Sequence, residues 1–121
     1  MALKILTEAG RDREDFVLRF QAEAGLLRRI GGRRHLIRCD SVIAVPPTQV
    51  LELYEESVAD RLEQGPLPLR VAIQIARQGA DALGWLHEHG VLHRDVKSSN
   101  LLIAMDGTVA LADLGVAAQG S

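Results

Sequence analysis

One stretch of the sequence decides the fold, and it reads Val91-Leu92-His93-Arg94-Asp95-Val96-Lys97-Ser98-Ser99-Asn100-Leu101-Leu102-Ile103. Two apolar runs enclose a polar loop that contains an acid, two cations and an amide. A loop with a purely structural role rarely concentrates such groups between two strands. Thirteen residues after Asn100, a further apolar run ends in Ala112-Asp113-Leu114-Gly115, where an acid at a strand end precedes a glycine. This arrangement is suited to holding a cation while the chain turns away.

These polar groups fit the chemistry of phosphoryl transfer. The reaction mainly requires positioning and neutralisation of phosphate charge, with one carboxylate that orients the attacking hydroxyl. Asp95 can accept the hydroxyl proton, and Lys97 can steady the transferring phosphate. Asn100 and Asp113 offer the hard oxygen ligands that Mg²⁺ prefers in combination with nucleotide oxygens. Taken alone, Asp113 is equally explained as a turn aspartate after a strand.

The polar loop resembles the catalytic loop of protein kinases, His-Arg-Asp-x-Lys-x-x-Asn, and residues 113–115 resemble their magnesium motif, usually Asp-Phe-Gly. The resemblance implies that Asp95 and Lys97 are catalytic and that Asn100 and Asp113 bind the metal. A lysine at position 97 is similar to the loop of Ser/Thr-specific enzymes. The implied activity is an ATP- and Mg²⁺-dependent Ser/Thr protein kinase, which transfers the γ-phosphate of ATP to a protein hydroxyl.

The N-terminal residues extend the resemblance. Ala2-Leu3-Lys4 resembles the family's Val-Ala-Ile-Lys strand, whose lysine contacts the nucleotide phosphates. Glu23 follows Lys4 by nineteen residues, at the position of the glutamate that pairs with this lysine in the family. Residues 12–30 have the apolar spacing of an amphipathic helix, and its register places Glu23 on the inward edge. Without the polar loop, Lys4 and Glu23 would be interpreted as two solvated charges.

The adenine contacts follow from the resemblance by position. Leu51 would be the gatekeeper, and the backbone groups of Glu52 and Tyr54 would hydrogen-bond the adenine ring. Ala2 and Leu102 would enclose the ring from its two faces. ATP and Mg²⁺ are thus the implied cofactors, and a protein with Ser or Thr hydroxyls is the implied partner.

Hydrophobic periodicity and turn residues predict the elements. We expect a strand at 2–6, a helix at 12–30, a hairpin of 41–45 and 49–53, helices near 57–62 and at 69–88, and strands at 91–92, 101–104 and 109–112. Asp106-Gly107 between the last two strands is a strong hairpin signal. In the 69–88 helix, the apolar and small residues imply deep burial; they are Leu69, Ala72, Ile73, Ala76, Ala80, Leu83 and Leu86.

The predicted fold class is α+β, a partial bilobal protein-kinase-like fold. It comprises the family's third strand, C helix, and fourth and fifth strands of the small lobe, the hinge, and the D and E helices and catalytic-loop strands of the large lobe. Residues 1–121 form one partial kinase domain, with 1–51 as the small-lobe part, 52–56 as the hinge and 57–121 as the large-lobe part. The glycine-rich loop and the activation segment onward are expected to be absent, so we expect this span alone to be inactive.

Composition excludes several other classes of protein. The chain has 121 residues, of which 47% are hydrophobic and 25% charged, and its net charge is −2. These values argue against disorder, and against a nucleic-acid or membrane surface as the main partner. No apolar run approaches the roughly 18–20 residues of a membrane span. The expected location is cytoplasmic, either as a soluble enzyme or as the cytosolic part of a membrane-anchored kinase.

Two other functions stay open on the sequence. One is a catalytically inert kinase-like fragment or pseudokinase-type binding module. The other is a small-molecule phosphotransferase such as an aminoglycoside kinase, which is disfavoured because those loops generally lack the arrangement of Arg94 and Lys97. Among the remaining residues, His93 is predicted to be packed and hydrogen-bonded. The other histidines lack metal-ligand spacing and are predicted to be incidental; they are His35, His87 and His89.

Overall fold

The computed structural model describes residues 1–33 and 35–114, and the backbone of 118–119. The chain divides into two compact units. Unit 1 comprises residues 1–33 and 37–53, and unit 2 comprises the other described residues. Within the part of the chain that the structure describes, no helix has the length and apolar character required to cross a membrane.

Unit 1 is a three-stranded antiparallel sheet with two helices. Its elements are β1 (Ala2–Ile5), α1 (Glu8–Arg11), α2 (Glu14–Ile30), β2 (Cys39–Ile43) and β3 (Thr48–Leu51). The strand order is β1-β3-β2, so β3 lies in the centre. Helix α2 buries an apolar stripe that forms much of the core of this unit, namely Phe20, Ala24, Leu26, Leu27 and Ile30.

The predicted strand, helix and hairpin of unit 1 are present, with boundaries that differ by one or two residues. Helix α1 was not predicted, because a four-residue helix shows no hydrophobic period; its cap is the Thr7 hydroxyl, which accepts from the Gly10 N–H at 3.1 Å. Helix α2 ends at Gly31, as predicted. A Cβ atom there would clash with the carbonyl oxygens of Leu27 and Ile37, so only glycine fits. Cys39 is buried, and burial raises the pKa of its thiol.

Unit 2 contains two helices and short strands. They are β4 (Glu56–Ser57), α3 (Val58–Leu62), α4 (Leu69–Glu88), β5 (Val91–Leu92), β6 (Leu101–Ile103), β7 (Val109–Leu111) and β8 (Ala118–Gln119). Strands β4, β6 and β7 form one antiparallel sheet, and β5 pairs with β8. A core of apolar side chains joins the first sheet to the helices and consists of Val58, Ile75, Ile103 and Val109.

Helix α4 has the predicted length but buries a different face. Its buried residues are Ile75, Gly79, Ala82 and Leu86. Leu86 is the one member of the predicted set that is fully buried, whereas Leu69 is 75% exposed and Ile73 is 48% exposed. The helix carries two apolar stripes at helical spacing, and only the stripe that includes Ile75 and Gly79 is buried, on the side where α4 contacts strand β7. The prediction of deep burial for the other stripe was therefore wrong for this chain.

Strands β6 and β7 form the predicted hairpin around Asp106 and Gly107. Gly107 adopts a positive φ of 88°, a conformation that favours glycine. The Asp106 carboxylate accepts the Thr108 N–H at 2.9 Å, and this hydrogen bond holds the pKa of Asp106 below its usual value. Gln78 of α4 binds the same hairpin, because its amide accepts the Val109 N–H at 2.8 Å.

His35 is not incidental, contrary to the prediction. Its backbone has a positive φ of 62°, and its carbonyl accepts the Leu111 N–H at 2.7 Å. Its Nδ1 lies 2.9 Å from the Val109 carbonyl oxygen and must therefore donate to it. His35 thus binds the edge of β7 through both its main chain and its side chain. Metal-ligand spacing was the wrong criterion for this histidine, because its contacts are to the backbone.

Candidate functional site

The polar loop of unit 2 is held in an unusual backbone conformation. Arg94 and Asp113 have φ values of 67° and 60°, in the left-handed region that non-glycine residues rarely occupy. Such conformations persist only where surrounding contacts impose them, and they cluster at functional sites. The contacts that impose them here are a set of hydrogen bonds between the loop and the segment that leads to Asp113.

His93 is the centre of these hydrogen bonds. Its side chain is buried, its Nε2 lies 2.9 Å from the Ala112 carbonyl oxygen, and its Nδ1 accepts the Asp95 N–H at 3.1 Å. A carbonyl oxygen only accepts and a backbone N–H only donates, so the ring is neutral with its proton on Nε2. The prediction that His93 is packed and hydrogen-bonded is confirmed. One imidazole thereby joins the start of the polar loop to the end of β7.

Asn100 closes the other end of the loop. It is the last residue of a single 3₁₀ turn (Ser98–Asn100) and is 6% exposed. Its Nδ2 donates to the Asp95 carbonyl oxygen at 2.8 Å and to the Asp95 carboxylate oxygen Oδ2 at 3.3 Å. Both neighbours are acceptors, which fixes the orientation of the amide and identifies Oδ1 as the atom that does not face Asp95.

The two oxygens of the Asp95 carboxylate differ in their contacts. Lys97 Nζ lies 3.5 Å from Oδ2, the same oxygen that accepts from Asn100. The Asp95 side chain is 35% exposed and the Lys97 side chain 57% exposed. Among the described residues, the side-chain contacts of Asp95 are thus all made to Oδ2. The role of Asp95 as the acceptor of a hydroxyl proton stays a prediction.

Asp113 is brought to the loop by the backbone of the preceding residue. The Ala112 N–H donates to the Asn100 carbonyl oxygen at 2.8 Å, while the Ala112 carbonyl accepts from His93. Asp113 is therefore next to a residue that is fixed at both of its backbone groups. Leu114 is buried, and Gly115 of the predicted motif lies outside the described residues.

Asn100 and Asp113 are the predicted Mg²⁺ ligands, and this role stays a prediction. No group of three or more His, Cys, Asp or Glu side chains among the described residues has metal-binding geometry. Mg²⁺ is usually held by one or two protein oxygens together with phosphate oxygens and water. Asn100 and Asp113 each carry a side-chain oxygen of this kind, and Asp113 is exposed.

Unit 1 contains the second group of predicted residues. Lys4 Nζ lies 2.6 Å from Glu23 Oε1, and the Glu23 side chain is 2% exposed whereas that of Lys4 is 39% exposed. Glu23 thus faces inward on α2, as its helical register predicted. The alternative interpretation, two solvated charges, is wrong for this pair because the Glu23 carboxylate is buried. The role of the pair in ATP binding stays a prediction.

The adenine-contact predictions fall in both units. In unit 1, Ala2 of β1 and Leu51 of β3 are direct cross-strand partners, and both are half-buried. The Glu52 N–H donates to the Arg38 carbonyl oxygen at 2.9 Å, so a contact between Glu52 and adenine would use its carbonyl oxygen. In unit 2, Tyr54 and Leu102 are each half-buried.

Gln49 is a residue that the sequence reasoning missed. It lies on β3 directly opposite Lys4 and has no solvent exposure. Its amide contacts Glu23 at 2.9 Å. The available signal was its spacing, since Gln49 precedes Leu51 by two residues and strand residues at that spacing point to the same face. A polar residue on the inward face of a central strand marks a buried polar cluster.

Comparison with known proteins gives a consistent result. The model of the protein kinase domain family matches residues 1–121. The serine/threonine-protein kinase PknL of Mycobacterium tuberculosis is 34% identical over 119 residues, which are 96% of this chain and 30% of that protein. The serine/threonine-protein kinase PknA of Corynebacterium glutamicum is 32% identical over 126 residues, 97% of this chain and 27% of that protein. Cyclin-dependent kinase 4 of Mus musculus is 33% identical over 107 residues. The chain therefore spans less than a third of the length of these two bacterial relatives.

Proposed function

Since the chain belongs to the protein kinase family, and its bacterial relatives are Ser/Thr kinases, we propose that it supplies the phosphotransfer residues of an ATP- and Mg²⁺-dependent Ser/Thr protein kinase. The observation that carries the proposal is the geometry of Asp95. Asn100 and Lys97 both lie against one of its carboxylate oxygens, at 3.3 and 3.5 Å, and leave the other for a substrate hydroxyl.

The proposed reaction uses the loop residues in distinct roles. The Ser or Thr oxygen of a protein substrate bonds to the γ-phosphorus of ATP, while the bond from that phosphorus to the bridging oxygen breaks and ADP leaves. Asp95 orients the hydroxyl and accepts its proton through Oδ1. Lys97, which is mostly exposed, balances the charge on the transferring phosphoryl group.

The metal and nucleotide residues complete the proposal. Bound Mg²⁺ would neutralise phosphate charge, and Asn100 and Asp113 would hold it through their side-chain oxygens. Lys4 would contact the nucleotide phosphates while Glu23 fixes its ammonium group. The proposed adenine contacts are those of Ala2, Leu51, Glu52, Tyr54 and Leu102. We also retain residues 1–51, 52–56 and 57–121 as the proposed small-lobe part, hinge and large-lobe part.

Calorimetric titration of Mg·ATP into the protein that carries this chain tests the proposal. We expect Asp113→Ala to weaken binding at least tenfold, which corresponds to about 1.4 kcal/mol, because it removes a metal ligand. The matched control is Asp106→Ala, since Asp106 is also a turn aspartate after a strand but binds only its own turn. We expect this control to bind Mg·ATP as the parent protein does.

A phosphate-transfer assay separates catalysis from binding. With radiolabelled ATP and a Ser/Thr peptide library, Asp95→Asn should retain nucleotide binding and lose transfer by a factor of about 10² or more. Binding of Mg·ATP without transfer by the parent protein would favour a binding module. Failure of the parent protein to bind Mg·ATP at all would contradict the proposal and favour an inert kinase-like fragment.

A further inference from the structure

Gln49 lies on the middle strand of unit 1, beside the Lys4–Glu23 ion pair. It is fully buried on the middle strand β3 and is the direct cross-strand partner of Lys4. Its Nε2 donates to Glu23 Oε1 at 2.9 Å and to the Phe20 carbonyl oxygen at 3.2 Å. The roles assigned to the chain so far make no use of this side chain.

The orientation of the Gln49 amide is fixed by its neighbours. Glu23 Oε1 and the Phe20 carbonyl oxygen are both acceptors, so only the NH₂ group of Gln49 can face them. The same Glu23 oxygen accepts from Lys4 at 2.6 Å. An ammonium group from β1 and an amide from β3 therefore converge on one carboxylate oxygen of α2.

The Gln49 side chain also leaves an acceptor of its own unpaired. Gln49 Oε1 and Glu23 Oε2 are both buried without a hydrogen-bond partner among the described residues. A buried acceptor without a partner destabilises a fold, and an apolar side chain of the same length would leave no such atom at position 49. The two hydrogen bonds that Nε2 donates are therefore what an apolar side chain at position 49 could not supply.

We propose that Gln49 is a positioning residue, which holds the Glu23 carboxylate against Lys4 by fixing α2 to β3 at two points. One point is the Glu23 side chain, and the other is the main chain of Phe20, about one helical turn earlier. Rotation or outward movement of α2 breaks both hydrogen bonds in a site that excludes water. The catalytic consequence rests on the proposed function, because it requires that Lys4 contacts the phosphates of ATP.

The variant Gln49→Met tests the proposal, since methionine has a similar length and no hydrogen-bond donor. In the protein that carries this chain, we expect Gln49→Met to fold with a lowered melting temperature, because Glu23 Oε1 and the Phe20 carbonyl oxygen lose a buried donor. We expect its affinity for Mg·ATP to fall about tenfold, the effect of losing one buried hydrogen bond to a charged acceptor. Thr48→Val is the matched control, because Thr48 is the buried neighbour on β3 and its hydroxyl binds only the Pro46 carbonyl, at 2.8 Å.

A double-mutant cycle distinguishes positioning from a general effect on the fold. In a Glu23→Gln background, adding Gln49→Met should change Mg·ATP affinity less than twofold, because the carboxylate that it positions is already absent. Thr48→Val should have equal effects in both backgrounds. An equal tenfold loss from Gln49→Met in both backgrounds would overturn the proposal, and so would an unfolded Gln49→Met protein.

Hydrogen exchange supplies a readout that does not depend on nucleotide. Without ATP, the amide protons of α2 from Phe20 to Leu27 should exchange faster in Gln49→Met than in the parent protein or in Thr48→Val. If the parent protein does not bind Mg·ATP, the proposed function fails, and this exchange comparison still decides whether Gln49 holds α2. Unchanged exchange in Gln49→Met would refute the inference.

Discussion

The hydrogen bonds of Asn100 predict different stabilities for two variants whose new side chains are similar in size. Asn100→Leu removes the donor from two acceptors, the Asp95 carbonyl at 2.8 Å and the Asp95 carboxylate at 3.3 Å. Asn100→Asp removes the same donor and also places a second carboxylate against the first. Both variants should be less stable than the parent protein, and the aspartate variant should be the less stable of the two at neutral pH.

The magnitude follows from the distances and the exposure of Asp95. Loss of the two hydrogen bonds should lower the free energy of unfolding by about 2 kcal/mol in Asn100→Leu. Two carboxylate oxygens separated by 3.3 Å repel by about 5 kcal/mol at an effective dielectric constant of about 20. Because the Asp95 side chain is 35% exposed and can rotate toward solvent, we expect about 2 kcal/mol of this repulsion to remain. Asn100→Asp should thus lose about 4 kcal/mol in total.

The pH dependence isolates the repulsion from the lost hydrogen bonds. In the folded Asn100→Asp variant, the two facing carboxylates share a proton at a higher pH than either would in the unfolded chain. Their destabilising effect is therefore present above that pH and disappears as the pH falls through it. Urea unfolding followed by circular dichroism at pH 8 and pH 5, with EDTA to remove divalent cations, should show the gap between the variants narrowing at pH 5. An equal stability difference between the two variants at both pH values would refute the contact between the side chain of residue 100 and the Asp95 carboxylate.

Three other predictions test separate parts of the two units. Lys4→Met leaves the buried carboxylate of Glu23 without its cation and should lower the free energy of unfolding by about 2–3 kcal/mol, and adding Glu23→Gln should restore at least half of the loss in urea unfolding. Gln78→Leu removes both hydrogen bonds from α4 to the β6–β7 hairpin and should lower stability by about 1–2 kcal/mol, with faster amide exchange confined to that hairpin. The Asp60 carboxylate accepts the Ser57 N–H, and this hydrogen bond holds the pKa of Asp60 below its usual value. The stabilising effect of the hydrogen bond is therefore complete above the unfolded-state pKa near 4 and is lost as the pH falls. Asp60→Asn should thus flatten the dependence of the melting temperature on pH between pH 5 and 3.

Local signals in the sequence predicted most of the elements because their causes are local. The limits of α4 follow from the proline before it and the glycine after it, and the β6–β7 hairpin follows from Asp106-Gly107. The buried face of α4 could not be predicted in the same way. Two apolar stripes satisfy the helical period, and only tertiary packing decides that the stripe with Ile75 is the one that meets the sheet.

The candidate site shows the same division between local and tertiary causes. The spacing of Asp95, Asn100 and Asp113 predicted which residues to consider, since these residue types suit one reaction. The sequence did not predict that one carboxylate oxygen of Asp95 takes both side-chain contacts, because this depends on the rotamers of the loop. Gln49 was missed for a related reason, since a glutamine within an apolar run was treated as part of a strand and its partners lie on a distant helix.

His93 in unit 2 and Gln49 in unit 1 each fix the geometry of the proposed functional residues of their own unit, although no reacting group would touch either. His93 uses both ring nitrogens to join the Asp95 N–H to the Ala112 carbonyl, across nineteen residues of sequence. Gln49 uses both amide protons to join β3 to α2, across more than twenty residues. In each case a single planar side chain connects two segments that each carry a proposed functional residue. Each connection needs a particular arrangement of protons. His93 needs a neutral ring with its proton on Nε2, and Gln49 needs its NH₂ group to face α2. The proposed chemistry of Asp95, Asp113, Lys4 and Glu23 therefore depends on side chains that position these groups and do not themselves react.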